Sequence, residues 1–131
     1  MTVKISNEPD YLHVISAGRF TLLNAKGTFF EILDAVLYYE SKKILFDGRK
    51  IIGQPSAMKR FYYGEFVSQE THKLIDRGLN FLPIFAYILV PPILDTNKFG
   101  ENVALNRGMN VKTFDNIDDG LHWLKLLPSD D

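Results

Sequence analysis

NRGMNVKTF, residues 106–114, joins a polar residue, an arginine and a glycine to an apolar, alternating run. Glycine reaches the left-handed conformation that ends a helix without the steric cost other residues meet there. The apolar residue after it, Met109, can fold back on the last helical turn, and Arg107 sets positive charge beside the negative end of the helix dipole. The stretch reads as a helix stop followed by a strand. DRGLNFLPI, residues 76–84, repeats the same order. Two stops of one design, each handing a helix to a strand, indicate an alternating α/β chain rather than a catalytic triplet. Asn106 is the member the stop leaves unexplained, since Asp76 holds its place in the other copy. It is kept as a candidate interface residue.

The rest of the chain fits around these two stops. Residues 2–18 read as two short strands broken at NEPD, with Leu12 and Val14 on one face and Tyr11, His13 and Ile15 on the other. Thr21 is placed as the N-cap of a helix running to about Glu40, and Leu22, Ala25, Phe29, Ile32, Leu33 and Val36 form its buried stripe. A compact strand is expected over Lys43–Asp47, and the loop GRKIIGQP leads to a second helix from about Ser56 to Arg77. Gly64 in mid-helix predicts close packing against a neighbour. FLPIFAYILV, residues 81–90, is apolar enough to be a strand covered on both faces. A loop over residues 91–97, a short helix to Arg107, a strand in MNVKTF and a last helix from Asn116 to Leu127 complete the chain. The fold class is α/β: a central, largely parallel mixed sheet of about five strands with about four helices packed on it.

At 131 residues the chain is one domain's worth, and 46% apolar with 24% charged residues is ordinary for a globular protein. A net charge of −1 gives no overall field toward nucleic acid or an anionic membrane. Cysteine is absent, so disulfide and thiolate chemistry are excluded. The N-terminus lacks an apolar signal segment, and the run Phe81–Leu94 falls short of the ~20 residues of a membrane helix. These features predict a cytoplasmic domain with no transmembrane segment. His13, His72 and His122 lack metal-ligand spacing, and no nucleophile elbow, phosphate loop or dinucleotide fingerprint occurs. No metal, cofactor or catalytic residue is expected.

ENVALNRGMNVKTFDNIDDGLHWL (101–124), FYYGEFVSQ (61–69) and KILFDGRKIIG (43–53) resemble, in order and spacing, the SpoIIAA-like family, whose fold is shared with STAS domains. The resemblance covers about Tyr11–Leu127 and implies a bacterial, non-enzymatic module. Such a module regulates by protein interaction, as anti-sigma-factor antagonists do, switched by phosphorylation of a serine at the start of the second helix. Ser56 is nearest that place, although this chain carries QPSAMKR where antagonists carry an Asp-Ser-Ser-Gly-type motif. The expected partner is another protein, or a second copy of this chain by self-association. Similarity to Sec14-type carriers implies an apolar ligand as the alternative.

Ligands of open α/β sheets bind beyond the carboxyl ends of the parallel strands. Ser56, Asp47, Arg49 and Lys59 fall there and form the candidate regulatory or anion-contact group. Successive helical residues turn by roughly 100°, so Phe61, Tyr62, Tyr63 and Phe66 cannot all face one core. Tyr62, Tyr63 and Phe66 are therefore candidates for an interface or for the lip of an apolar pocket between helices.

Overall fold

The computed structural model describes residues 1–127. Strands β1 (Thr2–Asn7) and β2 (Leu12–Arg19) precede helix α1 (Leu22–Tyr39), strand β3 (Lys43–Ile52) and helix α2 (Ala57–Asp76). Strand β4 (Ile84–Ile88), helix α3 (Phe99–Asn106), strand β5 (Asn110–Phe114) and helix α4 (Ile117–Trp123) follow. The five strands lie in the order β1-β2-β3-β4-β5. Strand β1 pairs antiparallel with β2, and the other pairings are parallel. The sheet is mixed and largely parallel, as the alternation predicts.

One face of the sheet carries Leu12, Val14, Ile44, Phe46, Phe85, Tyr87 and Val111, which join α1, α2 and α3 in the larger core. Phe29 of α1 is at its centre, 5.7 Å from the Phe85 ring and 6.1 Å from Phe66. The opposite face packs Leu45, Ala86 and Ile88 against α4 in a smaller core. Gly120 makes that contact possible, because a Cβ there would come within 2.6 Å of Ile88.

Local chemistry sets the boundaries. Thr21 accepts the Asn24 amide, Ser56 the Lys59 amide and Asn116 the Asp119 amide, each from the N-cap position. Gly78 and Gly108 have φ of +105° and +84°. Behind them the Leu79 amide donates to the Leu74 carbonyl at 3.0 Å and Met109 to Ala104 at 3.1 Å. That is the paired closure of a Schellman stop, with Leu79 and Met109 both buried. Arg107 then donates to Glu65 at 3.2 Å and lies over the Phe61 ring, tying the end of α3 to α2. Residues 107–109 thus form the helix stop that the sequence predicts. Asn106 ends α3, exposed.

Four elements depart from the sequence reading. Strand β4 covers only Ile84–Ile88 of the expected residues 81–90, because Pro83 has no amide to pair and the strand's ladders to β3 and β5 end at Ile88. Strand β3 continues to Ile52 rather than ending at Asp47, because an irregularity opposite Ile15–Ala17 lets it pass Gly48 and resume pairing at Lys50. Helix α4 ends at Trp123, where Lys125 takes a positive φ of 60°. Helix α3 runs from Phe99 to Asn106 rather than to Arg107, and the Asp95 carboxylate of the preceding loop accepts the amides of Asn97 and Phe99.

Candidate functional site

A cavity of about 120 Å³ lies between the sheet and helices α1, α2 and α3, at the carboxyl ends of the parallel strands. Its walls include Phe46 and Ile51 of β3, Tyr63 and Val67 of α2, Ala104 of α3 and Val111 of β5. The segment Ile93–Lys98 closes one side. Parallel strands all deliver their ends, and the helices their beginnings, to this rim, which explains the place of the cavity.

Two tyrosines meet in its lining. Tyr63 and Tyr87 place their hydroxyl oxygens 3.0 Å apart. Tyr63 as a whole is half-buried, with its hydroxyl enclosed. Burial drives the Tyr63 hydroxyl up to about 12, against the lowering effect of its bond to Tyr87. Burial raises Tyr87 as well, reinforced by Tyr63 beside it. Both are neutral donors and acceptors across the physiological range.

Arg60 joins α2 to the covering loop. Its guanidinium donates to the Pro92 carbonyl at 2.7 Å, to the Ile93 carbonyl, and to Pro55 at 3.2 Å. Lys98, also in the lining, donates to the Thr113 carbonyl at 3.4 Å. The lining acids are engaged otherwise: Asp95 caps α3, and Glu101 accepts both the amide and the hydroxyl of Thr113.

Arg19 ends β2, Lys50 lies near the end of β3, and Lys59 and Arg60 lie in the first turn of α2, while Arg49 of β3 is paired with Asp47. Neither α1 nor α2 has an acidic residue in its first turn. Leu23, Ile52 and Met58 stand exposed there at 80%, 55% and 64%. The Phe20 amide bonds the Ile52 carbonyl at 2.8 Å, which holds the α1 and β3 parts of this rim together.

The candidate residues separate in the fold. Ser56 and Lys59 share the first turn of α2 and are exposed. Asp47 is on the other face of the sheet, aligned with Ile88 of the α4 core. Arg49 donates to it from its backbone amide at 3.2 Å, and from Nε and Nη2 at 2.9 and 2.8 Å. Those side-chain bonds hold the Asp47 carboxyl below the usual carboxylate value, although burial works the other way. Asp47 and Ser56 therefore do not form one group. Of the aromatic candidates, Tyr63 lines the cavity and Tyr62 is exposed. Phe66 packs on Phe29, Phe30 and the Lys26 ammonium, and Phe61 on Phe99 and Arg107. The pocket is built on Tyr63 and not on Phe61 and Phe66. Among the described residues no cluster of three His, Asp or Glu is arranged to hold a metal.

Sequence reasoning missed Tyr87, Lys98 and Glu101. Tyr87 had a signal: it is the single hydroxyl in an otherwise apolar strand, and a buried tyrosine hydroxyl needs a partner. Lys98 and Glu101 had none, because their place depends on how the loop before α3 folds over the cavity.

No family model matches the chain, and no curated protein matches it. Solved structures do. An anti-sigma factor antagonist from Mycobacterium paratuberculosis superposes with a TM-score of 0.59 at 13% identity, over 95% of this chain and 93% of that one. An uncharacterised protein from Shewanella loihica with a SpoIIAA-like fold gives 0.50 at 19% identity, over 94% and 92%. The chain has the SpoIIAA-like, STAS-type fold.

Proposed function

We propose that this chain is a non-catalytic regulatory module that acts by binding another protein through the rim around Ser56. The observation that carries this reading is the composition of the rim. Cations in the first turn of a helix oppose its dipole, yet α2 begins with Lys59 and Arg60 and has no acid there. Such an arrangement costs local stability and favours an acidic partner surface, while Leu23, Ile52 and Met58 supply apolar contact area. The likeness in fold to an anti-sigma factor antagonist supports regulation as the class of function. Ser56 lies within this surface, where a phosphate would meet the helix N-terminus and Lys59. The test is a charge reversal, Met58→Asp with Lys59→Glu, compared with Tyr38→Ser at the far end of α1. A specific protein co-purified with the wild type should be lost with the first variant and kept with the second. Identical recovery with both would contradict the proposal.

A second reading, the binding of an apolar ligand, is favoured by the cavity itself. At about 120 Å³ it is below the 300–1,000 Å³ of ordinary ligand pockets. It is close to the ~150 Å³ of an engineered apolar cavity that admits benzene. The fit is to a small molecule rather than to a full lipid chain.

A further inference from the structure

We infer that the cavity takes a small apolar monocarboxylate, an acid of benzoate or hexanoate size, with its carboxylate on Arg60 and its body against Phe46, Val67 and Val111. The inference rests on the second reading above, the cavity as a ligand site, and adds the chemistry of the headgroup. The size is set by the volume of about 120 Å³, enough for one six-membered ring or a chain of similar bulk.

The headgroup follows from the cations. Arg60 lines the cavity and is half-buried, and among the described residues no carboxylate lies within ion-pair distance of it. Its donors go to three neutral carbonyls, those of Pro55, Pro92 and Ile93. Pro55 and Ile93 are themselves part of the lining, as Arg60 is, so its guanidinium is bonded to residues of the cavity wall. A planar guanidinium binds a carboxylate through two parallel bonds, which are stronger than bonds to neutral carbonyls. Lys98 is a second lining cation, and among the described residues its ammonium donates only to the Thr113 carbonyl, at 3.4 Å. The two lining carboxylates, Asp95 and Glu101, form no ion pair with either cation among the described residues, and both face backbone amides instead. Capture of a carboxylate would draw Arg60 donors from Pro92 and Ile93, coupling occupancy to the loop that covers the cavity.

The experiment is a titration of the full chain, followed by amide chemical shifts, with benzoate against benzyl alcohol and hexanoate against hexanol. The acids should bind about tenfold or more tightly than the alcohols, as expected for bonds between two charged groups, with shifts at Val67, Ile93, Ala104 and Val111. Arg60→Gln should bring acid and alcohol to equal affinity, Arg60→Lys should keep part of the preference, and Ala104→Leu should weaken both probes. Equal affinities in the wild type, or a preference that survives Arg60→Gln, would overturn the headgroup assignment while leaving the cavity as an apolar ligand site. No saturable shifts in the cavity with any of the four probes would overturn both.

Discussion

Gly108 illustrates how one residue can settle a boundary. Its φ of +84° is a conformation that alanine adopts only with strain, whereas a Cβ would meet His72 at no closer than 3.4 Å. The penalty is therefore conformational rather than steric. Gly108→Ala should lower stability by about 1 kcal/mol or more, measured by urea denaturation, and a neutral result would contradict the stop. The tyrosine pair makes a different demand. Tyr63→Phe leaves the Tyr87 hydroxyl buried without its partner, so each single change should cost about 1–3 kcal/mol, and the double change less than the sum. A fully additive double mutant would mean that the 3.0 Å contact contributes nothing. The pair also sets a pH dependence. With the folded value of Tyr63 near 12 and the unfolded one near 10, the folded state holds its proton where the unfolded state has lost it. Stability should be fully present below pH ~10 and fall as pH rises toward 12, more shallowly in Tyr63→Phe.

At the scale of elements, sequence period and capping chemistry made the helices legible. Thr21, Ser56 and Asn116 cap where their side chains suggest, and both arginine-glycine stops close as the apolar residues after them imply. Strand β3 was less legible, because its continuation past Gly48 comes from pairing with β2, which no local pattern encodes. Within that irregularity Arg49 turns back on Asp47, and the side-chain bond keeps the carboxyl ionised below its usual value. Its contribution is present above the unfolded carboxylate value and is lost as pH falls through the lowered folded one. The stability gap between wild type and Asp47→Asn should close on acidification below pH ~4, and a constant gap would show that the pairing contributes little. Gly64 lets α2 and α3 pack closely: a Cβ there would come within 2.6 Å of the Gly100 carbonyl oxygen. Gly64→Ala should destabilise by about 1–3 kcal/mol by forcing the two helices apart, readable as a lower melting temperature.

For the molecule as a whole, the fold was more readable than the site. Alternating elements and the two stops specify a mixed, mostly parallel sheet. The rim where ligands gather follows from that topology, and the cavity does lie there. What the sequence could not convey is which residues meet. Asp47 and Ser56 are close in the chain but lie on different sides of the sheet, because one residue of a strand faces away from the next. Tyr63 and Tyr87 are remote in sequence yet bonded. The net charge of −1 likewise hid the gathering of Arg19, Lys50, Lys59 and Arg60 at the ends of β2 and β3 and the start of α2. The central claim is that this rim receives a protein partner. The most direct measurement replaces Met58 with a photo-crosslinking residue in the full chain inside its own cells, with Ile75, exposed at the opposite end of α2, as control. A discrete crosslinked partner at position 58 and none at position 75 is the expected result. Equal crosslinking at both positions, or none at 58, would contradict the assignment of the rim as the binding surface.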